Sequence, residues 1–123
     1  MPRPEEHLPA SRPLAAGEAE RLAERMSAFA TASRLKLLYA LAGGELAVEQ
    51  LAECAATTPN AVSQQLRILR HLRLVSARRE GRRNLYRLHD EHLVDLLAAI
   101  RHQLEHAERG WSEAPRALHD VRV

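Results

Sequence analysis

Aromatic residues, cysteine and long apolar runs are all scarce in this sequence. Aromatic residues make up only 3% of the chain, which argues against binding of RNA or single-stranded DNA, because proteins hold these ligands largely by stacking bases on aromatic rings. The single cysteine, Cys54, excludes an internal disulfide. No apolar run is long enough for a signal peptide or a membrane span. The expected location is therefore the cytoplasm, with no membrane partner.

Positive charge is concentrated in one part of the chain. Lysine and arginine total 18 against 16 acidic residues, so the net charge is only +2. The arginines, however, crowd between Arg67 and Arg87, and such a local positive patch suits an anionic partner such as duplex DNA. The length of 123 residues predicts one domain with its own core, whose stability dimerisation would increase.

The stretch from Thr58 to Leu72 combines a helix start, an apolar stripe and polar side chains suited to DNA. Thr58 can cap the first backbone donors, and Pro59 fits the first helical position, where its missing N–H is not needed. Apolar residues recur at helical spacing and predict one buried face. The other faces carry side chains that can bond to base edges in the major groove. The candidate DNA-binding residues of this helix are Thr58, Asn60, Ser63, Gln64, Gln65 and Arg67.

The flanking segments predict a winged helix-turn-helix. A short helix from Val48 to Ala55 leaves room for a tight corner before Thr58. Beyond the recognition helix, Leu74 to Arg79 and Leu85 to Leu88 are predicted strands joined by a glycine-containing turn over residues 80–84. Arginines at such a hairpin can grip phosphates or enter a minor groove, although a solvated charged turn is the alternative. The candidates here are Arg78, Arg79, Arg82 and Arg83.

Three further helices complete a fold predicted to be mainly α with a small β-hairpin wing. They cover Glu18 to Phe29, the residues between a cap at Thr31 and Gly43, and Asp90 to about Arg109. In the short third helix, Cys54 is expected to be a small, buried and chemically inert core residue.

The ends of the chain lack the periodic apolar pattern of the middle. Residues 1–13 contain four prolines and several charges, which predicts a disordered N-terminal arm. Residues 14–110 form the predicted DNA-binding and dimerisation domain, and residues 111–123 a loose tail.

Five stretches of the sequence resemble the ArsR/SmtB family of winged-helix, metal-responsive transcriptional regulators. They are ATASRLKLLYAL, ELAVEQLAE, AVSQQLRILRHLRLV, RREGRRNLYRL and DEH, in the family's order and at its spacing over roughly residues 18–109. The resemblance implies that the second of the two turn-linked helices reads the major groove of double-stranded operator DNA. It also implies that the hairpin touches flanking DNA and that the first and last helices form a homodimer.

The chain departs from the family pattern at several positions. The family usually has glycine in the turn before the recognition helix and just after that helix, where this chain has Ala56 and Arg73. Both places often need a positive φ, at which a residue with a Cβ costs up to about 1 kcal/mol relative to glycine. Some members bind soft metals through two cysteines in the pattern ELCVCDLA. The matching positions here are Ala47 and Glu49, so that thiolate site is absent.

The last helix carries the candidate metal ligands. Asp90 and His92 match the family's Asp-x-His pair. His102 and His106 lie near the family's second pair of ligands. Strict family spacing, however, places Gln103 at the position that His102 would have to replace, and Gln103 is a poor metal ligand. His92 and His106 are 14 residues apart, hence about 21 Å along a helix, whereas nitrogen ligands sit about 2 Å from a metal. One site would therefore need two antiparallel copies of the helix.

The sequence predicts a dimeric regulator whose operator affinity is modulated by Ni(II), Zn(II) or Co(II), ions that suit oxygen and imidazole ligands. One alternative is a regulator of the same fold that senses no metal and depends on a partner protein or another signal, with the histidines forming a solvated stripe. A protein interaction module is a second alternative, but it leaves the clustered arginines unexplained. We do not expect an enzyme, because no activated nucleophile or acid–base pair is apparent.

Overall fold

The computed structural model describes residues 11–110, which form five helices and three strands. The predicted arm up to residue 10 and the predicted tail from residue 111 lie outside the described residues. The elements in chain order are α1 Glu18–Ser27, α2 Ala32–Ala42, β1 Leu46–Ala47, α3 Val48–Cys54, α4 Pro59–His71, β2 Val75–Glu80, β3 Arg83–Leu88 and α5 Glu91–Gly110. The sheet has the order β1-β3-β2, with both pairs antiparallel. This architecture confirms the predicted winged helix-turn-helix.

The hydrophobic core lies between α2, α3, α4, the sheet and the inner side of α5. The apolar spacing predicted for α4 is confirmed, since Val62, Leu66 and Leu69 are buried on one face of that helix. Burial of a leucine or valine side chain stabilises the fold by roughly 1.5–3 kcal/mol. The largest fully buried side chains are Leu37, Leu38, Leu51, Leu66, Leu69, Leu74, Leu97, Val62 and Val75.

Side-chain caps begin three of the helices, as the sequence predicts. Thr31, Thr58 and Asp90 each accept a hydrogen bond from the backbone N–H three residues further on, at 3.3, 3.1 and 3.2 Å. Each bond satisfies a backbone donor that the helix itself leaves without an acceptor.

Helices α3 and α4 end in the same way, and both ends use a residue with positive φ. After α3, Thr57 N–H donates to the Ala52 carbonyl at 2.9 Å and Ala56 N–H to the Glu53 carbonyl at 3.2 Å. This pair of bonds defines a Schellman ending, which places its penultimate residue in the left-handed region. Ala56 accordingly has φ 53°, and Arg73, which ends α4 with an equivalent pair of bonds, has φ 60°.

The wing turn differs from the predicted one. The strands continue through the pair Glu80 and Arg83, so the turn contains only Gly81 and Arg82 instead of residues 80–84. Gly81 has φ 62°, and a two-residue hairpin turn requires such a conformation. The link before α3 is extended as predicted, and it also pairs with β3 as a third strand.

Cys54 is exposed, so the prediction of a buried core cysteine is wrong. In the short helix α3, Leu51 and Ala52 are buried, and Ala55 after it is buried too. These residues occupy the inward face, and Cys54 is left on the side that faces solvent.

Helix α1 begins after Gly17 and ends at Ser27, two residues before the predicted end. At its start, Glu18 accepts two hydrogen bonds from the Arg12 guanidinium, at 2.8 and 3.0 Å, and one from the Ala15 N–H at 2.8 Å. The bond to Arg12 is the main cause that lowers the pKa of Glu18 to about 2. The last residues of the predicted arm are thus tied to the helix.

Two helices carry apolar side chains that their own chain does not cover. Helix α1 has no buried residue, and its Leu22 and Met26 are 42% and 67% exposed. On α5, Leu93 and Leu97 are buried in the core, whereas its outward-facing large apolar residues are Leu96, Ile100 and Leu104, at 43%, 45% and 52% exposure. Within residues 11–110, no helix is long and apolar enough to cross a membrane.

Candidate functional site

Helix α4 presents a row of exposed polar side chains on the side opposite its buried stripe. Asn60, Ser63, Gln64 and Arg67 are all exposed. Thr58, the fifth predicted contact, uses its hydroxyl oxygen to cap the helix. An exposed row of amides, a hydroxyl and a guanidinium on one helix has the chemistry needed to bond to base edges in a major groove.

Gln65, the sixth predicted contact of this helix, is placed differently. It is half-buried, and its side-chain oxygen accepts a hydrogen bond from the Arg34 Nε of α2 at 3.0 Å. The same guanidinium donates through Nη1 to the Ser27 carbonyl at 3.3 Å. Gln65 is therefore tied to α2, while its neighbour Gln64 is exposed.

Among the wing arginines, Arg78 is held by carboxylates of its own chain. Its guanidinium donates two hydrogen bonds to Glu45, at 2.8 and 2.9 Å, and one to Glu80 at 3.2 Å. The bond to Glu45 raises the pKa of Arg78 and lowers the pKa of Glu45. The paired guanidinium anchors the first wing strand to the residue just before β1.

The other three predicted wing residues differ in how firmly they are held. Arg79 donates to the Gly81 carbonyl at 3.0 Å within the hairpin. Arg83 donates to the Gln50 side-chain oxygen at 3.3 Å, and that oxygen also accepts from the Ala47 N–H. Arg82, at the tip, is exposed and makes no hydrogen bond or ion pair within residues 11–110. The tip thus extends one cation into solvent.

A groove of about 380 Å³ runs between α4 and the wing. Four of its lining residues were not among the predicted contacts, and two of them, Arg70 and Tyr86, have side chains suited to a DNA backbone or base. Arg70 lies about one turn beyond Arg67 on the same helix, and that spacing could have identified it. Tyr86 comes from β3, and no signal in the sequence places it beside α4. The groove is lined by Ser63, Leu66, Arg67, Arg70, His71 and Tyr86.

The predicted metal ligands all lie at the surface of α5 or at its cap. Nδ1 of His92 lies 3.7 Å from Oδ1 of Asp90, the oxygen that also caps the helix. His102 and His106 are exposed further along the same helix. Among the residues described, no three histidine, cysteine or acidic side chains of one chain are grouped so as to hold a metal ion. The structure therefore does not bring the two predicted pairs together within one chain.

Helix α5 is held against α2 by contacts near the middle of α5. The Tyr39 hydroxyl donates to the Leu97 carbonyl at 2.7 Å, and the Arg101 guanidinium lies 5.6 Å from the centre of the Tyr39 ring, within the range of a cation–π contact. These contacts set the position of the histidine stripe relative to the helix-turn-helix.

The sequence and the fold both match known bacterial regulators. The family described as bacterial regulatory protein, arsR family, matches residues 31–77. Over 103 residues the chain is 42% identical to the HTH-type transcriptional regulator NmtR of Mycobacterium tuberculosis, a match that covers 84% of this chain and 86% of that protein.

Two solved structures share the fold. The homodimeric winged helix-turn-helix DNA-binding domain of Mb0332 from Mycobacterium bovis has a TM-score of 0.69 and 34% identity, covering 75% of this chain and 85% of that one. The antimony-specific transcriptional repressor AntR has a TM-score of 0.71 and 34% identity, covering 81% of this chain and 92% of that one.

Proposed function

The chain belongs to the ArsR family of bacterial regulatory proteins and is a DNA-binding transcriptional regulator, not an enzyme; from this premise we propose that it acts as a homodimer whose affinity for operator DNA is modulated by a divalent metal ion. The observation that carries the proposal is the combination, on α5, of an uncovered apolar face with a stripe of carboxylate and imidazole side chains.

In this proposal α4 lies in the major groove. The exposed side chains of Asn60, Ser63, Gln64 and Arg67 contact base edges there, because amide and guanidinium groups can make paired hydrogen bonds to adenine and guanine. The wing tip lies over the neighbouring backbone, where Arg82 contacts phosphate. Arg79 and Arg83 support it from the two strands.

A second copy of the chain would cover the outer faces of α1 and α5. Both helices leave large apolar side chains exposed, among them Met26 and Leu104, and exposed apolar surface that is grouped on a helix face is typical of an interaction site. Two copies related by a twofold axis would bury the same face on each side. The homodimeric neighbour from Mycobacterium bovis supports this arrangement.

The dimer also provides the geometry that the metal site lacks in one chain. Helix α5 runs unbroken from Glu91 to Gly110, so His92 and His106 are about 21 Å apart along its axis. In an antiparallel pair of α5 helices, Asp90 and His92 of one copy approach His102 and His106 of the other. Each dimer then has two equivalent sites at its interface.

The ligand types limit the metals that could be sensed. A carboxylate and imidazoles suit Ni(II), Zn(II) or Co(II), and a soft ion such as that of the antimony-specific neighbour prefers thiolates. The chain has Ala47 and Glu49 at the positions where some family members carry cysteines, and its only cysteine is on α3. A soft metal or metalloid is therefore a poor match for this chain.

A second candidate is a regulator of the same fold that responds to a partner protein or another signal without binding metal. The observation that favours it is Gln103, which occupies the position at which strict family spacing puts a ligand. His102, one position earlier, is rotated by about 100° around the helix from that position.

Calorimetric titration of the full-length protein with Ni(II), Zn(II) and Co(II) distinguishes the two candidates. It is run with and without a duplex that carries the region upstream of its own coding sequence. A metal sensor binds one of the ions well below millimolar, and the duplex changes that affinity by a factor of about 5–150, the usual size of allosteric coupling. No binding below about millimolar, or binding that the duplex leaves unchanged, rejects metal sensing.

A further inference from the structure

A second groove, of about 370 Å³, lies between the start of α2 and the helix-turn-helix corner. Gln65 and Ala61 of the recognition helix form part of its wall, so the groove adjoins the surface proposed to face DNA. Most of its lining is alanine and other apolar side chains. The polar side chains that line it are Ser33, Lys36, Thr57 and Gln65.

The orientation of the Gln65 amide follows from its partner. A guanidinium has donors and no acceptor, so the group of Gln65 that faces the Arg34 Nε at 3.0 Å must be its oxygen. Among residues 11–110, the two donors of the Gln65 amide NH₂ then have no acceptor. Because Arg34 is also bonded to the Ser27 carbonyl, this orientation is held from the α2 side.

Lys36 supplies the charge of the groove. It is exposed and makes no hydrogen bond or ion pair in the described part of the chain, and it is the only lysine in the whole sequence. Within residues 11–110, no acidic residue lines the groove. The residues that line this concave surface thus include an ammonium group, an amide NH₂ and two hydroxyls, all of which can donate to an anionic oxygen.

We propose that this groove holds a phosphate of the DNA backbone, with Lys36 and Gln65 as its donors and Arg34 as the residue that positions Gln65. The proposal rests on the placement of α4 in the major groove proposed above. It gives Gln65 a different role from Gln64, since Gln65 contacts the backbone in any sequence and Gln64 contacts a base. The occupant is a backbone phosphate because the groove adjoins the base-reading row and offers donors without a carboxylate.

Amine-selective acetylation tests the lysine directly. The reagent modifies only Lys36 and the chain's amino terminus, so mass spectrometry can follow a single side chain. We expect sonicated mixed-sequence duplex DNA to protect Lys36 from acetylation, and added salt to remove the protection as it dissociates the complex. If the duplex binds while Lys36 reacts at the rate of the DNA-free protein, the groove is not a phosphate site. If the protein binds no duplex at all, the result rejects the proposed function itself, and the groove proposal with it.

Lys36→Met tests the same contact by affinity. We expect weaker binding to operator and mixed-sequence duplex by the same factor, and a salt dependence whose slope is smaller by about one, because one phosphate contact is lost. Arg109→Met, at the far end of α5, is the matched control for loss of one positive charge, and its slope should stay near the wild-type value. Equal slopes for the wild type and Lys36→Met overturn the proposal.

Gln65→Glu tests the amide orientation. The carboxylate still accepts from Arg34 but no longer carries the NH₂ donors. The affinity should therefore fall by the same factor for mixed-sequence duplex and for operator. Gln64→Glu, with the same charge change, should instead alter the preference between base pairs. If Gln65→Glu changes base preference, Gln65 reads a base and the assignment to the backbone is wrong.

Arg34→Met tests the positioning role. The substitution leaves the Gln65 amide free to rotate, so it should lower the affinity for both duplexes. Adding Gln65→Ala to it should lower the affinity little further, because the two changes remove the same contact. Unfolding midpoints of the same variants, measured in parallel, show whether a loss of DNA affinity comes from a loss of stability. Fully additive losses in DNA affinity show that Arg34 acts independently of Gln65.

Discussion

The guanidinium of Arg78 is joined to the carboxylate of Glu45 by two hydrogen bonds of 2.8 and 2.9 Å. The pair connects the first wing strand to the residue just before β1, and so couples the wing to the segment that leads into α3. A cation bound in this way is less available to a phosphate than the guanidinium of Arg82 at the tip, which has no partner within residues 11–110. The wing therefore has one arginine fixed for structure and one exposed for binding.

Replacing Glu45 should weaken the hold on Arg78, whose remaining carboxylate partner is Glu80 at 3.2 Å, and so make Arg78 more available to DNA. In Glu45→Gln we expect tighter binding to all duplex sequences, with a salt slope larger by about one, since one more phosphate can be neutralised. Glu53→Gln is the control and should leave the slope unchanged, because it removes an exposed carboxylate of α3 that makes no ion pair within residues 11–110. Fluorescence anisotropy at several salt concentrations measures both variants. An unchanged slope in Glu45→Gln would mean that Arg78 does not reach DNA even when released.

The same ion pair predicts a dependence of stability on pH. Hydrogen bonding to Arg78 lowers the folded-state pKa of Glu45 below its ordinary value of 4.5. The pair therefore stabilises the fold above about pH 4.5, and this contribution is lost as pH falls through the lowered pKa. Unfolding midpoints of wild type and Glu45→Gln should differ at neutral pH and converge in acid. A difference that persists at pH values well below 4.5 would assign the effect to something other than this carboxylate.

Gln64→Ala tests base reading by α4. We expect a loss of about 1–3 kcal/mol in binding to operator and a relaxed preference at one base pair, because paired hydrogen bonds from an amide specify the base. Binding to mixed-sequence duplex should change little. Competition binding against operators substituted at single base pairs locates the affected position. Equal losses on operator and mixed-sequence DNA would reject the role.

Ala56→Gly tests the cost of the corner before α4. Ala56 has φ 53° and is exposed, so glycine removes the strain of its Cβ without loss of buried surface. We expect an increase in the free energy of unfolding of up to about 1 kcal/mol. The neighbouring Ala55, at φ −94° and buried, is the control, since Ala55→Gly should destabilise by about 0.5–1 kcal/mol. A lower melting temperature for Ala56→Gly would contradict the strained geometry.

Half-sites on separate subunits should complement if the metal is held between two copies of α5. One variant carries Asp90→Ala with His92→Ala, and the other carries His102→Ala with His106→Ala. Each homodimer lacks one half of both sites and should bind metal weakly. After subunit exchange, the mixed dimer has one site with all four ligands and one with none, so calorimetry should show recovery of tight binding at one ion per mixed dimer.

The recovered affinity should also depend on pH. Metal competes with protons for imidazole, so binding should weaken as the pH is lowered. If wild type binds tightly while the mixture recovers nothing, the ligands lie within one chain or are other residues.

Sequence alone was sufficient for the parts of the fold that depend on near neighbours. The caps at Thr31, Thr58 and Asp90 bond to the N–H three residues on, and the buried stripe of α4 follows the helical repeat. Family spacing also pointed to Ala56 and Arg73 as positions of positive φ, which the structure confirms. All of these features involve residues within about two turns of one another, so a linear pattern contains them.

The tertiary structure alone decided which polar side chains are paired and which are exposed. Arg34 and Gln65 are 31 residues apart, and Arg78 and Glu45 are 33 apart, so no local pattern shows that these partners meet. Arg78 and Arg82 have the same chemistry and both lie in the hairpin, yet within residues 11–110 only Arg78 of the two forms an ion pair with a carboxylate. The difference arises because packing of the wing against the segment before α3 brings Glu45 to Arg78, and this contact exists only once the distant segments have folded together.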